Sequence, residues 1–167
     1  ADEDAMALIR QSARTASARL QFARIAFGAA GSAGMQIDTG DAASVAAAFF
    51  ANEKPELEWN GARALLPKND VKLLLNLVMV AAGAIPRGGR LTVDLADLET
   101  SPRFTIKATG PMVRVPPKFL EMHSGTKPEE PIDAHAVQPY YTLLLAREAG
   151  RTISIRATAD DVTLTVA

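Results

Sequence analysis

The chain has 167 residues, 48% hydrophobic and 22% charged, which excludes a disordered chain and is enough apolar material for the core of one domain. With 18 Lys and Arg against 19 Asp and Glu the net charge is -1, so bulk electrostatics favour neither nucleic acid nor an anionic membrane as partner. There is no cysteine, hence no disulfide scaffold, thiol nucleophile or thiolate metal site.

The N-terminal stretch opens on Asp2, Glu3 and Asp4, carboxylates suited to the positive end of a helix dipole. Behind them Met6, Ile9, Ala13, Ala16, Leu20, Ala23 and Phe27 recur at steps of three and four. A helix over residues 2–27 thus carries a heptad-like stripe flanked by Arg10, Arg14, Arg19 and Arg24, and would be ~40 Å long. Gly28, Gly31 and Gly34 stop it and read as a flexible join that separates it from the rest. A free helix of this kind is marginal in water. The stripe is therefore read as one arm of a helical bundle, more than as the inner face of a helix packed on its own domain.

Met35 to Asp38 suggests a short strand, and residues 42–50 a helix capped by Thr39 or Asp41. Leu57 and Trp59, then residues 64–66, read as two strands joined in a hairpin at Asn60-Gly61. Pro67, Lys68, Asn69 and Asp70 open a helix that runs to about Ile85, with Leu73, Leu74, Leu77, Val78, Ala81 and Ala84 as its core stripe. The longest apolar run, residues 78–85, is far short of the ~20 residues of a membrane span. Leu91, Val93 and Leu95 alternate with polar residues, as do Phe104 and Ile106, which predicts half-buried strands. Gly110, Pro111, Pro116 and Pro117 read as a loop with little regular structure. Residues 134–149 predict a helix closed by Gly150, and strands follow over 152–158 and 162–166 around the turn Asp160-Asp161. This order predicts an α+β fold with helices layered on one side of a mixed sheet. The units expected are residues 1–28 and 35–167. With no signal-peptide pattern at its start, the chain is expected to be cytoplasmic.

Chemistry read from residue types alone is sparse. His123 and His135 are twelve residues apart, so no metal-ligand pair of histidines exists at helical spacing. His123 lies in an expected loop near Glu129 and Glu130, and His135 opens a helix beside Asp133. Both read as surface or capping groups, since a phosphoacceptor histidine needs an exposed place on a long helix. Neither the nucleophile elbow GxSxG nor the phosphate loop GxxxxGK[ST] is present. Asp160-Asp161 reads as a solvated turn, Arg87 and Arg90 as a weak anion site, and Trp59, Tyr140 and Tyr141 as packing residues.

Three segments carry a resemblance. The run from Leu73 to Ile85, with Asn76, followed by Pro86-Arg87-Gly88-Gly89-Arg90-Leu91-Thr92-Val93, resembles the asparagine-bearing helix and next strand of histidine-kinase ATP-binding domains. The run from Phe104 to Val113 resembles their strand and glycine loop, and the run from Pro139 to Ile155 their last helix and closing strands. Against that pattern, Val80 stands where those domains have a second, magnesium-holding asparagine. Ala108 stands in place of an aspartate that receives the adenine amino group. After Gly110, Met112 replaces the second glycine and is expected to crowd the space, and residues 134–139 contain no glycine. Only Asn76 is kept. Each lost partner in a desolvated site removes about 1–3 kcal/mol, so nucleotide affinity is expected to be abolished.

A kinase-like domain with this lost pocket is similar to the ChpT-like histidine phosphotransferases of alphaproteobacterial phosphorelays. The resemblance covers essentially the whole chain. It implies a helical hairpin that dimerises into a four-helix bundle, beside a degenerate α/β sandwich. Phosphoryl would pass from a phospho-aspartate on one receiver domain to a bundle histidine, then to the aspartate of another receiver, with Mg2+ supplied by the receiver. Residues 2–27 would be the second hairpin helix. The first, with the phosphoacceptor histidine, would lie upstream of Ala1, so no catalytic histidine is assigned and this segment alone is expected to be inactive. The resemblance implies a bundle core of Met6, Ile9, Ala13, Ala16, Leu20, Ala23 and Phe27. It places receiver binding on Leu8, Gln11, Ser12, Arg14, Thr15 and Arg19. Homodimerisation is expected, and no nucleotide, metal, nucleic acid or membrane. Two other readings stay open: a non-enzymatic scaffold on the same fold, separated by receiver-to-receiver transfer, and an active kinase or ATPase, separated by nucleotide binding.

Overall fold

A computed structural model of the chain describes residues 1–28, 35–127 and 132–167. Gly31 and Gly34 of the expected join, and Glu129 and Glu130 near His123, lie outside the described residues. The first helix, α1, is Asp2–Ala26, with Asp2, Glu3 and Asp4 in its first turn. It is not held apart from the rest of the molecule. Phe22 and Ala26 are buried, Ile25 packs against the same core, and the Phe22 ring lies 4.8 Å from that of Phe49.

A short strand β1, Gln36–Asp38, pairs antiparallel with β3, Leu65–Pro67. Helix α2, Thr39–Phe50, starts three residues earlier than expected. Its cap is Asp38, whose carboxylate accepts from the Gly40 N–H at 2.7 Å, and not Thr39 or Asp41. The Thr39 hydroxyl is instead buried and accepts from the Ala64 N–H at 3.0 Å.

The expected hairpin at Asn60-Gly61 does not form. Strand β2, Pro55–Asn60, pairs parallel with β4, Gly89–Ala96, while β3 pairs with β1. Asn60 stays in its strand and donates to Asp94 Oδ1 at 2.9 Å. Gly61 is required by a close approach: with φ 138°, a Cβ there would lie 2.7 Å from the Leu95 Cβ. The dipeptide marks the end of a strand whose partner lies elsewhere in the chain.

The main sheet runs β2-β4-β5-β7-β6, with β5 Arg103–Thr109, β6 Ile153–Ala157 and β7 Asp161–Val166. All its pairs are antiparallel except β2 with β4. Along β4, β5 and β7 the alternate residues Leu91, Val93, Phe104, Ile106, Val162 and Leu164 are buried, and the intervening polar residues face outward. On that outer face Arg90 reaches Glu56 and Glu58, and Lys107 reaches Asp161.

Helix α3, Lys68–Gly83, covers the inner face of the sheet and is itself enclosed. Beyond its expected stripe, Asp70, Val71, Lys72, Leu75, Asn76 and Val80 are also buried. The segment read as loop contains a helix, α4, Pro117–His123, because a proline at the first helical position sacrifices no hydrogen bond. Helix α5, Ala134–Ala149, is capped by Asp133 accepting from Ala136 N–H at 2.9 Å and closes at Gly150, as expected. It packs against both α3 and α4.

Candidate functional site

The kinase-like pocket region is built from α3, β5 and α5. Asn76 is 0% exposed. One face of α3 turns it toward the end of α1, where its amide donates to Ala26 O at 3.0 Å and to Lys72 O at 2.8 Å. From α5, the Gln138 amide donates to Asn76 O at 3.0 Å, Asn76 Oδ1 at 3.2 Å and Thr142 Oγ1 at 2.9 Å. Thr142 in turn donates to Gln138 O at 2.7 Å. Both Asn76 amide hydrogens are thus committed within the protein. Val80 and Ala108 are buried hydrocarbon, Ala108 on the inner face of β5. Gly110 keeps its close approach: a Cβ there would sit 2.4 Å from Gly88 O.

Met112 does not crowd this space. It is 40% exposed, and Val115 turns inward after the Arg114 N–H bonds Ala84 O at 2.8 Å. Residues 134–139, matched to the glycine-rich turn of kinases, are the opening turns of α5.

Lys72 is a functional candidate that the sequence reading missed. The residue is 3% exposed, and its ammonium donates to Gly28 O, just past the C-terminus of α1. The signal was its place four residues before Asn76, on the same face of a helix. Gln138 was missed for lack of any motif around it.

The second surface is α1 itself. Met6, Ile9, Leu20 and Phe27 are exposed, Ile9 by 61% and Leu20 by 53%, as are Ala13 and Ala16, with Ala23 half-buried. From Met6 to Leu20 the stripe therefore faces away from the domain, while Phe27 at its end lies against Tyr141, and a different face carrying Phe22 and Ala26 meets α2 and α3. Leu8, Ser12, Thr15 and Arg19 follow one another at steps of four, three and four, which sets them on one flank. Gln11 lies in the seam, its amide donating to Asn52 Oδ1 at 2.5 Å. Thr15 donates to Gln11 O at 3.0 Å, and Arg19 pairs with Glu53 at 3.1 Å. Arg14 is not brought to this group, since it points roughly 100° or more around the helix from Leu8, Ser12, Thr15 and Arg19.

The remaining groups read as structure. His123 stacks on Phe119, and its Nε2 lies 2.7 Å from Ile153 O. His135 is exposed at the first turn of α5. Arg90 faces carboxylates, and so is no anion site. The turn around Asp161 is held by Thr158, whose hydroxyl reaches Asp161 Oδ1 at 3.1 Å. Trp59 and Tyr141 pack against the core, whereas Tyr140 is exposed. Burial, with a smaller contribution from the Glu148 charge, raises the Tyr141 phenol above its ordinary pKa.

A family model for the histidine phosphotransferase C-terminal domain matches residues 39–161. The chain belongs to this family. Protein phosphotransferase ChpT of Brucella abortus (strain 2308) is 72% identical over 162 residues, which cover 97% of this chain and 78% of that protein. The solved structure described as a bacterial phosphotransferase at 1.7 Å matches with a TM-score of 0.92 and 68% identity, over 100% of this chain and 80% of that one. A histidine kinase domain from Erythrobacter litoralis EL346 matches with a TM-score of 0.59 at 10% identity, over 95% of this chain and 81% of that one. That likeness shows the fold alone. In this histidine phosphotransferase the kinase-like scaffold is kept, and the asparagine of its central helix is turned to an internal structural use.

Proposed function

We propose that this histidine phosphotransferase carries phosphoryl groups between the aspartates of response-regulator receiver domains and binds no nucleotide. One observation above all supports the reading: Asn76 spends its amide hydrogens on the carbonyls of Ala26 and Lys72, where a kinase-like domain would hold nucleotide. The protein then works as a bundle with a rigid flank and not as a kinase.

In the reaction an imidazole nitrogen attacks the phosphorus of a phospho-aspartate in line. A P–N bond forms, the P–O bond breaks and the carboxylate leaves; the reverse step on a second receiver completes the relay. Charge on the transferring group is balanced chiefly by the receiver and its Mg2+. The transferase contributes the nucleophile and its orientation. The nucleophile is assigned to a helix that packs on the stripe of α1, not to His123, held at Ile153 O, or His135. The same stripe is assigned to the homodimeric bundle, the protein is placed in the cytoplasm, and the Leu8, Gln11, Ser12, Thr15 and Arg19 flank is assigned to the receiver.

The test uses the protein extended to include the acceptor helix. Phosphoryl should move from a phosphorylated receiver to the protein and then to a second receiver. Replacing Gln11 and Ser12 with large charged residues should weaken receiver binding at least tenfold while the dimer mass is unchanged. Unchanged binding overturns the placement, and absent transfer in the parent protein overturns the relay.

A further inference from the structure

The C-terminus of a helix leaves carbonyl groups without internal partners, and cations or amide donors stabilise it. At the end of α1 two carbonyls, that of Ala26 and that of Gly28 just beyond the helix, are met from outside it. Asn76 donates to Ala26 O, and the Lys72 ammonium donates to Gly28 O, one turn apart on the enclosed face of α3. Gln138 of α5 then donates to the side-chain oxygen of Asn76, Oδ1, at 3.2 Å, so that α1, α3 and α5 meet in one polar joint. The Phe27 ring lies 5.9 Å from that of Tyr141 at the same place. Further back along its length α1 is tied to the turn after α2 by Gln11 with Asn52 and by Arg19 with Glu53.

Apolar packing of Phe22 and Ala26 favours contact but is non-directional, and it tolerates rotation or sliding of a helix. A buried hydrogen-bonded joint does not, because any shift leaves a carbonyl, an amide or an ammonium without its partner in a low-dielectric interior. We infer that Lys72 and Asn76 are positioning residues: they hold the angle of α1 against the domain, so that a receiver seated on the α1 flank also meets Asn52 and Glu53. This inference deepens the proposed relay and rests on it for the partner, while the geometry of the joint stands without it. The site that binds a nucleotide in a kinase-like domain serves here as a permanent clamp, and the docking surface keeps one geometry with no ligand to set it.

The test combines an orientation readout with kinetics. The chain has no cysteine, so Arg10→Cys with Lys107→Cys places two spin labels cleanly, one on α1 and one on β5. The parent should give one narrow distance distribution. Lys72→Met and Asn76→Ser should broaden it, and Lys72→Arg, which keeps a donor, should restore most of the narrow peak. In the transfer assay on the extended protein, without labels, Lys72→Met should raise KM for the receiver about tenfold and change kcat less than twofold. Val162→Ala, a core variant away from the joint, supplies a control of lowered melting temperature with KM unchanged. A narrow distribution in both Lys72→Met and Asn76→Ser overturns the clamp. So does a KM that tracks melting temperature equally in Lys72→Met and Val162→Ala. If the parent moves no phosphoryl between receivers, the relay falls, and the distance distributions still decide whether the joint holds α1.

Discussion

Arg151, just past the end of α5, grips Asp70 in the first turn of α3 with two parallel bonds, Nε to Oδ1 at 3.1 Å and a terminal nitrogen to Oδ2 at 3.0 Å. The same guanidinium donates to Pro102 O at 2.9 Å, so one side chain joins α3, the start of β5 and the approach to β6. Asp70 is almost fully buried, which makes the pair costly to break and weak evidence of net stabilisation. Arg151→Met should lower unfolding free energy by about 3–5 kcal/mol in urea, because it leaves a buried carboxylate without its cation. Asp70→Leu combined with Arg151→Met should recover most of that loss.

The two faces of α1 should respond differently to truncation. Phe22→Ala opens a cavity between α1 and α2 and should cost about 3–5 kcal/mol. Leu20→Ser, on the exposed stripe, should change the stability of this chain by less than about 0.5 kcal/mol. In the protein extended by the acceptor helix, Leu20→Ser should instead weaken dimerisation, read by sedimentation. A large loss of stability in this chain from Leu20→Ser would reverse the assignment of faces.

Titration with ATP and Mg2+ up to millimolar should show no saturable heat. The carboxylate that adenine would need cannot simply be restored. Ala108→Asp places an unpaired charge under α3, and it should lower the melting temperature sharply without producing nucleotide binding. Saturation at tens of micromolar in the parent would overturn the account of Asn76, Val80 and Ala108.

Tyr141 gives a pH signature. Its folded pKa lies above the ordinary value near 10, through burial first and the Glu148 charge second. The unfolded chain therefore loses this proton first as pH rises. The stabilisation is fully present below the unfolded pKa and is lost as pH climbs through the folded one. In a Tyr140→Phe background, phenolate absorbance should appear at higher pH in the folded protein than in urea. Glu148→Gln should shift that titration down only slightly.

Local rules made much of the fold legible. Gly150 closed α5, alternation marked the buried sides of β4 and β5, and the spacing of apolar residues placed α1 and α3. That Val80 and Ala108 stand where the resemblance calls for an asparagine and an aspartate was readable without coordinates, because a residue's identity is visible in the sequence. Asn60-Gly61 misled, since a turn dipeptide says that the chain bends and not which strand it will pair with. Pro117 misled because proline forbids a helix interior but permits a helix start.

By itself, then, the sequence determined most of the helices and strands, α4 apart, the open stripe of α1 and the absence of carboxylate and amide side chains at positions 108 and 80, all of which depend on residues near one another in the chain or on a residue's own chemistry. Tertiary structure alone decided that β2 lies parallel to β4, that Met112 points out while Val115 points in, and that Asn76 and Lys72 close on the end of α1. Asn76 and the carbonyl of Ala26 stand 50 residues apart in the chain. No periodicity links them, because a buried hydrogen bond is specified by three-dimensional placement and leaves no spacing to read.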